Sequence, residues 1–234
     1  MARQYCSRRP EFVNLVCILV TDLLARFASL YSSLVSDCAE AVGLGPRALA
    51  AGLQPYHQDD LRVVVGLAHP CQVVKTSERV EIDMLLKYVD ATPAHSMCVV
   101  AADQDVQGAL WGGLMSAGVQ QRGSVGVVVD GGVRDLHQIR PLDYAVFATY
   151  RSPLDIRGRG EMVGFGEPVV CRGVPIAPGD IVFADANGVV AIPVDAAEDV
   201  LALCEDRVNK EVATEEELRQ GVSATDVYSR LEAF

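Results

Sequence analysis

Positive charge, metal-binding spacings and long apolar runs are all scarce in this chain of 234 residues. Lys and Arg number 20 against 31 Asp and Glu, a formal net charge of -11 at pH 7. Nucleic acid is excluded as a natural partner, because phosphate contact needs clustered cations. A small anionic substrate stays open, since one local positive site suffices for it. The seven cysteines form no CxxC pair and the four histidines are scattered, so no zinc spacing occurs. Thiols in odd number, set singly within apolar runs as Cys98 is in "SMCVVAA", point to reduced, buried side chains in a cytoplasmic protein. Neither GxGxxG nor GxxxxGK(S/T) is present, and no glycine loop suits a nucleotide or S-adenosylmethionine. The apolar stretch "EFVNLVCILVTDLL", residues 11–24, is interrupted by Asn14 and ended by Asp22. It is too short to span a bilayer, and no small-residue cleavage site follows it. Leu23, Phe27, Leu30, Tyr31 and Leu34 recur at helical spacing, so residues 1–29 read as an N-terminal helical extension with no membrane partner.

What the chain does contain is alternation of strands and helices. Residues 12–45 read as mostly helical, ending at the glycines of "VGLGPRA". "LRVVVGLAHPCQVVKT" (61–76) reads as strand, break, strand, with His69 before Pro70 as a turn residue. "EIDMLLKYVDATPA" is helical up to Pro93, "SMCVVAAD" is a buried strand, and "GGLMSAGVQQRG" is a helix opened by glycines. The next strand, "SVGVVVDGG", stops at Asp130-Gly131-Gly132. Strand, helix and strand in so short a span make a βαβ unit, hence parallel. "YAVFATYRS" adds a strand, residues 162–193 have the short runs and Asn-Gly or Pro-Gly turns of hairpins, and 195–233 form an acidic helical tail. The class is α/β, with a parallel βαβ core, a C-terminal β-hairpin region and a helical tail.

In open α/β sheets ligands lie beyond the carboxyl ends of parallel strands. Two such ends fall in the βαβ unit. The first runs from Asp103 into Gly112-Gly113-Leu114-Met115, where a helix begins and its free backbone N–H groups suit a carboxylate or phosphate. The second runs from Asp130 to the pair Arg134-Asp135: a planar donor suited to a carboxylate or enolate oxygen, and a hard oxygen ligand suited to Mg²⁺ or Mn²⁺. Together they suit a 2-oxo acid, with a metal acting as Lewis acid on the keto oxygen. A surface ion pair is the plain alternative for Arg134 and Asp135. His137 stands either near that metal or on the surface, and Trp111 packs beside the helix start. Tyr150, Arg151, Arg157 and Arg159 around "SPLD" either shape the distal substrate end or cap a loop.

"WGGLM", the twenty residues between Gly113 and Arg134, and "RD" within "GVVVDGGVRD" resemble the RraA-like family. So do "SLVSDCAEAVG", "RSPLDIRGRGE", "PVVCRGVPIAPGDIVFADANGVVAIP" and "KEVATEEELRQG", so that the resemblance spans residues 30–234 as one domain. That family includes 4-hydroxy-4-methyl-2-oxoglutarate (HMG) aldolase, the related carboxy-hydroxy-oxoadipate aldolase and the regulator of ribonuclease E activity. The resemblance implies a swivelling β/β/α domain assembled as trimers or hexamers. It implies a metal-dependent lyase on pyruvyl-containing acids, cleaving HMG or decarboxylating oxaloacetate, or else a protein-binding regulator of a ribonuclease. Carried over, the substrate loop is Gly112, Gly113, Leu114 and Met115, the substrate arginine is Arg134, and the direct Mg²⁺ or Mn²⁺ ligand is Asp135. Glu211 in "NKEVA" is the acid that reaches a neighbouring subunit's metal. Two departures accompany the match. Characterised aldolases carry Asp where this chain has Gly113, and other members carry acids at positions matching Gln138 and Ile139. Asp103, Asp105 and Glu161 are the chain's candidates for a replacement carboxylate.

Overall fold

The computed structural model describes residues 20–57 and 61–231. The expected helical stretch over 12–45 is two helices within the described residues, α1 over 20–27 and α2 (Ser32–Ala41), separated by a turn; residues 12–19 lie outside the described ones. After them come β1 (Gln54–Pro55), β2 (Val64–Lys75), α3 (Asp83–Ala91), β3 (Ser96–Ala102), β4 (Ala109–Trp111), α4 (Gly113–Gln121), β5 (Gly126–Val133), α5 (Leu136–Ile139) and β6 (Ala145–Arg151). Then follow β7 (Gly160–Phe165), the hairpins β8 (Val169–Cys171)–β9 (Val174–Ile176) and β10 (Ile181–Asp185)–β11 (Gly188–Ile192), and helices α6 (Ala197–Arg219) and α7 (Ala224–Leu231).

A nine-stranded mixed sheet has the order β1-β6-β5-β3-β2-β10-β11, with β4 added beside β5 and β7 beside β2. β2, β3, β5 and β6 are mutually parallel, so β3-α4-β5 is the βαβ unit that the sequence foretold. Apolar side chains pack on both faces of these strands, as parallel sheets require. On one face Tyr88, Val119 and Ile139 close down from α3, α4 and α5, with Trp111 of β4 among them. On the other lies the β8-β9 hairpin with Cys171 and Ile176. Leu24, Phe27 and Leu34 join Val200, Leu201 and Phe183 in a third cluster, where α1, α2 and α6 meet the β10-β11 hairpin. Cys38, Cys71, Cys98, Cys171 and Cys204 are free and buried, and burial raises each thiol, Cys171 to about 12. Among the described residues no helix is long and apolar enough to cross a membrane.

Two expectations need correction. Residues 64–75 are one strand, unbroken at Pro70. The Pro70 carbonyl accepts from the Gly166 N–H, so the N–H that proline lacks would face the same edge. Along that edge the partner changes from β10, which pairs up to Leu67, to β7, which pairs from Cys71. A proline placed in that gap leaves no acceptor unmatched. His69 is accordingly a buried strand residue, stacked on Tyr88 at 4.6 Å between ring centroids, and burial lowers its pKa.

The second correction bears on the site. β5 does not stop at Asp130 but continues through both glycines to Val133. Val129 pairs with Ala148 and Gly132 with Tyr150, so β5 carries one residue more than β6 over that stretch, which is a β-bulge. On its other edge a Cβ at Gly131 would strike Leu110 and one at Gly132 would strike the Gly108 carbonyl. Glycine there lets β4 lie close along β5, and the strand end moves from Asp130 to Val133, next to Arg134.

Candidate active site

α4 begins immediately after β4, with Gly112 as its N-cap in extended conformation. Its start is fixed from within: the Trp111 Nε1–H donates to Ser116 Oγ at 2.8 Å, and Ser116 Oγ–H donates to the Gly112 carbonyl at 3.1 Å. Trp111, 1 % exposed, is thus the packing residue expected at the helix start. The N–H groups of Gly113, Leu114 and Met115 have no acceptor one turn back, as at any helix N-terminus. Gly113 finds one elsewhere, donating to Asp135 Oδ2 at 3.3 Å.

That bond needs the glycine pair. A Cβ at Gly112 would lie 2.7 Å from Asp135 Oδ2, and one at Gly113 would overlap the Gln138 side chain. The 113 and 138 positions, noted separately in the sequence, therefore face each other. Ile139 is fully buried and takes no part in the site. Asp135 is left-handed, with φ 62° and ψ 34°, and its carbonyl accepts from the N–H groups of Gln138 and Ile139. Aspartate tolerates that region better than most residues, and the conformation turns its carboxylate back towards α4.

Arg134 is held by its backbone, its N–H donating to the Trp111 carbonyl at 3.0 Å. Its Nε lies 3.6 Å from Asp135 Oδ2, and its Nη1 lies 3.9 Å from Asp155 Oδ1. Asp155 also accepts at Oδ2 from Arg157 Nε at 2.7 Å and Nη2 at 2.5 Å. The Arg157 guanidinium holds the Asp155 carboxyl below the usual carboxylate range, with Arg134 assisting. Sequence reasoning passed over Asp155. Its only signal was its place two residues before Arg157 in the loop the motif already flagged.

Gly112, Leu114, Met115, Arg134, Asp135 and Asp155 line one cavity of about 260 Å³, closed on its far side by apolar side chains of α3. A second, shallower recess on the other side of Arg134 and Asp135 includes His137, Arg151 and Ser152. His137 and Gln138 are exposed. Asp103 and Asp105 are engaged with Lys75 instead, and Glu161 lines a neighbouring cavity. Tyr150 donates to the carbonyls of Val106 and Gly108, and Arg159 to those of Asp155 and Arg157, which are loop-capping roles. Glu211 is in none of these places. It lies in a cleft between α2 and α6, where burial raises its pKa.

Among the described residues no group of three His, Cys, Asp or Glu side chains is placed to hold a metal. Asp135 offers one hard oxygen donor to the cavity. Such a donor fits Mg²⁺ or Mn²⁺, which keep water and take substrate oxygens beside one or two carboxylates. It does not fit a zinc-type site closed by protein ligands.

The chain is similar to several known proteins. Protein DlpA of Legionella pneumophila is 30% identical over 207 residues; the match takes in 87% of this chain, which spans only 32% of that protein's length. A Halalkalibacterium halodurans protein named "Putative 4-hydroxy-4-methyl-2-oxoglutarate aldolase" is 27% identical, covering 88% of this chain and 93% of its own. The crystal structure of RraAS2 from Streptomyces coelicolor, described as an unusual member of the RNase ES inhibitor RraA protein family, superposes with a TM-score of 0.66 at 24% identity, over 86% of this chain and 94% of that one. The family model described as RraA-like, Aldolase/RraA, matches residues 32–191, from α2 into β11 with the whole Gly112–Asp135 site inside, and the chain belongs to that family.

Proposed function

We propose that the protein is a divalent-metal-dependent lyase acting on pyruvyl-containing 2-oxo acids, by aldol cleavage of HMG, decarboxylation of oxaloacetate, or both. One observation carries this reading: a helix N-terminus, a guanidinium and a carboxylate meet at Asp135 Oδ2, 3.3 Å from the Gly113 nitrogen and 3.6 Å from Arg134 Nε. Mg²⁺ or Mn²⁺ held by Asp135 would supply Lewis acidity towards the substrate's keto oxygen. The chain's own groups do the remainder. The N–H groups of Leu114 and Met115 bind the carboxylate of the pyruvyl unit. Arg134 donates to the oxygen on which charge gathers as enolate forms. In HMG the 4-hydroxyl proton passes to water, the C3–C4 bond breaks with its pair moving towards the keto oxygen, and C4 with its methyl and C5 leaves as one pyruvate; a proton from water at C3 completes the second. In oxaloacetate the C3–C4 bond breaks with loss of CO₂ and leaves the same enolate.

The reading includes a trimer or hexamer in which Glu211 faces a neighbouring copy's metal, since the α2–α6 cleft keeps it from Asp135 of its own chain. The aldolase name of the Halalkalibacterium relative supports the lyase assignment. The test is release of pyruvate from HMG and from oxaloacetate, with and without Mg²⁺ or Mn²⁺ after EDTA treatment. No pyruvate from either acid with metal present ends the lyase reading.

A second reading, a non-catalytic regulator of a ribonuclease E-type enzyme, draws on the neutral Gln138 amide that packs on Gly113. The description of the Streptomyces structure supports it. Its mark would be inhibition of the ribonuclease that survives both EDTA and Asp135→Ala.

A further inference from the structure

We infer that Arg157, clamped by Asp155, is the residue that recognises a second carboxylate at the far end of the substrate. The inference rests on the lyase reading above and adds to it the residue that sets distal specificity. Arg134 and the α4 N-terminus occupy one end of the 260 Å³ cavity; α3 lines its side with Leu85, Leu86 and Val89, which offer nothing to a charge. Among the described residues lining the cavity, Arg134 and Arg157 are the cations. Arg157 also borders the adjoining cavity of about 380 Å³, so its guanidinium stands where a substrate extending from Arg134 would end.

The guanidinium is pre-positioned. Nε and Nη2 both donate to Asp155 Oδ2, and the Arg157 backbone N–H donates to Asp155 Oδ1 at 3.3 Å. Asp155 in turn is tied to β4. The Ala109 N–H donates to the Leu154 carbonyl at 2.9 Å, Ala109 and Asp155 form a bridge, and Arg159 Nη1 donates to the Asp155 carbonyl at 3.0 Å. One edge of the guanidinium, Nε with Nη2, is thus used to fix it, and Nη1 makes no hydrogen bond among the described residues. A planar fork held along one edge, on a residue that lines the cavity, keeps N–H groups with which to receive an oxyanion. Asp155 also lies between the two arginines, within 3.9 Å of Arg134 and 2.5 Å of Arg157. It spaces them one carboxylate apart, so a short dicarboxylate whose keto oxygen meets Arg134 would bring its far carboxylate to Arg157. HMG and oxaloacetate both carry such a second carboxylate.

The test compares HMG with 4-hydroxy-4-methyl-2-oxopentanoate, in which a methyl group replaces the distal carboxylate and cleavage gives pyruvate and acetone. Arg157→Met should lower kcat/KM for HMG by about tenfold or more, the worth of a charge-assisted hydrogen bond. It should leave the methyl-ended acid within about twofold. Arg157→Lys should recover part of the HMG loss. Binding is read independently from the fluorescence of Trp111, the chain's single tryptophan, which lines the same cavity. Succinate should bind the wild type more tightly than butyrate, and Arg157→Met should remove the difference. Equal losses on both substrates, or no preference for succinate in the wild type, would show Arg157 to be a loop strap and overturn the inference. Should the wild type release pyruvate from neither acid, the lyase reading fails, and the succinate titration alone then decides whether Arg157 binds a carboxylate.

Discussion

The cleft between α2 and α6 encloses about 790 Å³ and the cavity at the end of β5 about 260 Å³, yet only the smaller is organised for chemistry. Two helices wall the larger one. It holds Asp37, Glu40, Glu211 and Glu215 against a single Arg207, an excess of like charge that would favour a cation or a partner's positive surface. In the smaller cavity two carboxylates alternate with two guanidinium groups, and side chains arrive from β4, α4, the end of β5 and the 152–160 loop. Backbone hydrogen bonds join β4, the end of β5 and the 152–160 loop, and the Gly113 N–H ties α4 to the Asp135 carboxylate. A site whose groups are locked by separate elements keeps its geometry as charge develops, and such preorganisation is what stabilises a transition state. A groove between two helices has no comparable lock. Volume alone would have pointed to the wrong place.

The sharpest way to break this contrast is at Asp135. Asparagine keeps the tolerance for a left-handed backbone and the shape of the side chain, so Asp135→Asn should fold. Turnover should fall by about a thousandfold, at the upper end of what one electrostatic group supplies. Circular dichroism checks the fold and pyruvate release the rate. Retention of metal-dependent turnover would remove Asp135 from the metal.

Arg134→Lys comes next. Lysine keeps the charge but not the planar fork that meets both Asp135 and Asp155. A loss of about 3 kcal/mol in the transition state, or about a hundredfold in kcat, is expected. If only KM rises, Arg134 holds the ground state and the rate enhancement arises elsewhere in the cavity.

Gly112→Ala tests the locking itself. The extended backbone at Gly112 suits alanine, so strain is not at issue; the new Cβ would stand 2.7 Å from Asp135 Oδ2 and push the carboxylate aside. Displacing a reacting group by a fraction of an ångström costs rate more than stability. About a tenfold fall in kcat is expected, with the melting temperature within a few degrees of wild type. An unaltered rate would mean that the contact between α4 and Asp135 is structural.

Much of this cavity could be foreseen from the chain. The βαβ unit, the glycines at the start of α4 and the Arg134-Asp135 pair follow from local pattern, because periodicity and turn chemistry act over a few residues. What escaped depended on neighbours distant in sequence. Pro70 is a strong breaker by itself, and only the exchange of β10 for β7 beside it allows β2 to continue. Asp130-Gly131-Gly132 resembles a turn, and only β4 pressed against both glycines keeps it in a strand. β4 has three residues, too few for a pattern. Asp155 looked like part of a surface loop until the fold brought it between Arg134 and Arg157. Contact between Gly113 and Gln138 likewise made two separate departures into one feature.

The smallest effect concerns the larger cleft, at Glu211. Burial raises its pKa. A carboxyl whose folded pKa is raised binds its proton more readily in the folded state than in the unfolded one. It therefore favours folding at low pH and opposes it as pH rises through the unfolded and then the folded value. At neutral pH the isolated chain bears a partly buried carboxylate without compensation, so Glu211→Gln should leave stability unchanged or raise it by up to about 0.5 kcal/mol. The same substitution has the opposite consequence if Glu211 meets a neighbour's metal. Calorimetric Mn²⁺ affinity should then fall severalfold in the oligomer, with the oligomer itself intact by light scattering. A stabilised chain with unaltered Mn²⁺ affinity would place Glu211 in the solvated wall of the α2–α6 cleft and leave the metal to Asp135, water and substrate. A destabilised chain would instead mean that the carboxylate already has a favourable partner within its own cleft, and Arg207 on the same wall would be the first to examine by a double-mutant cycle.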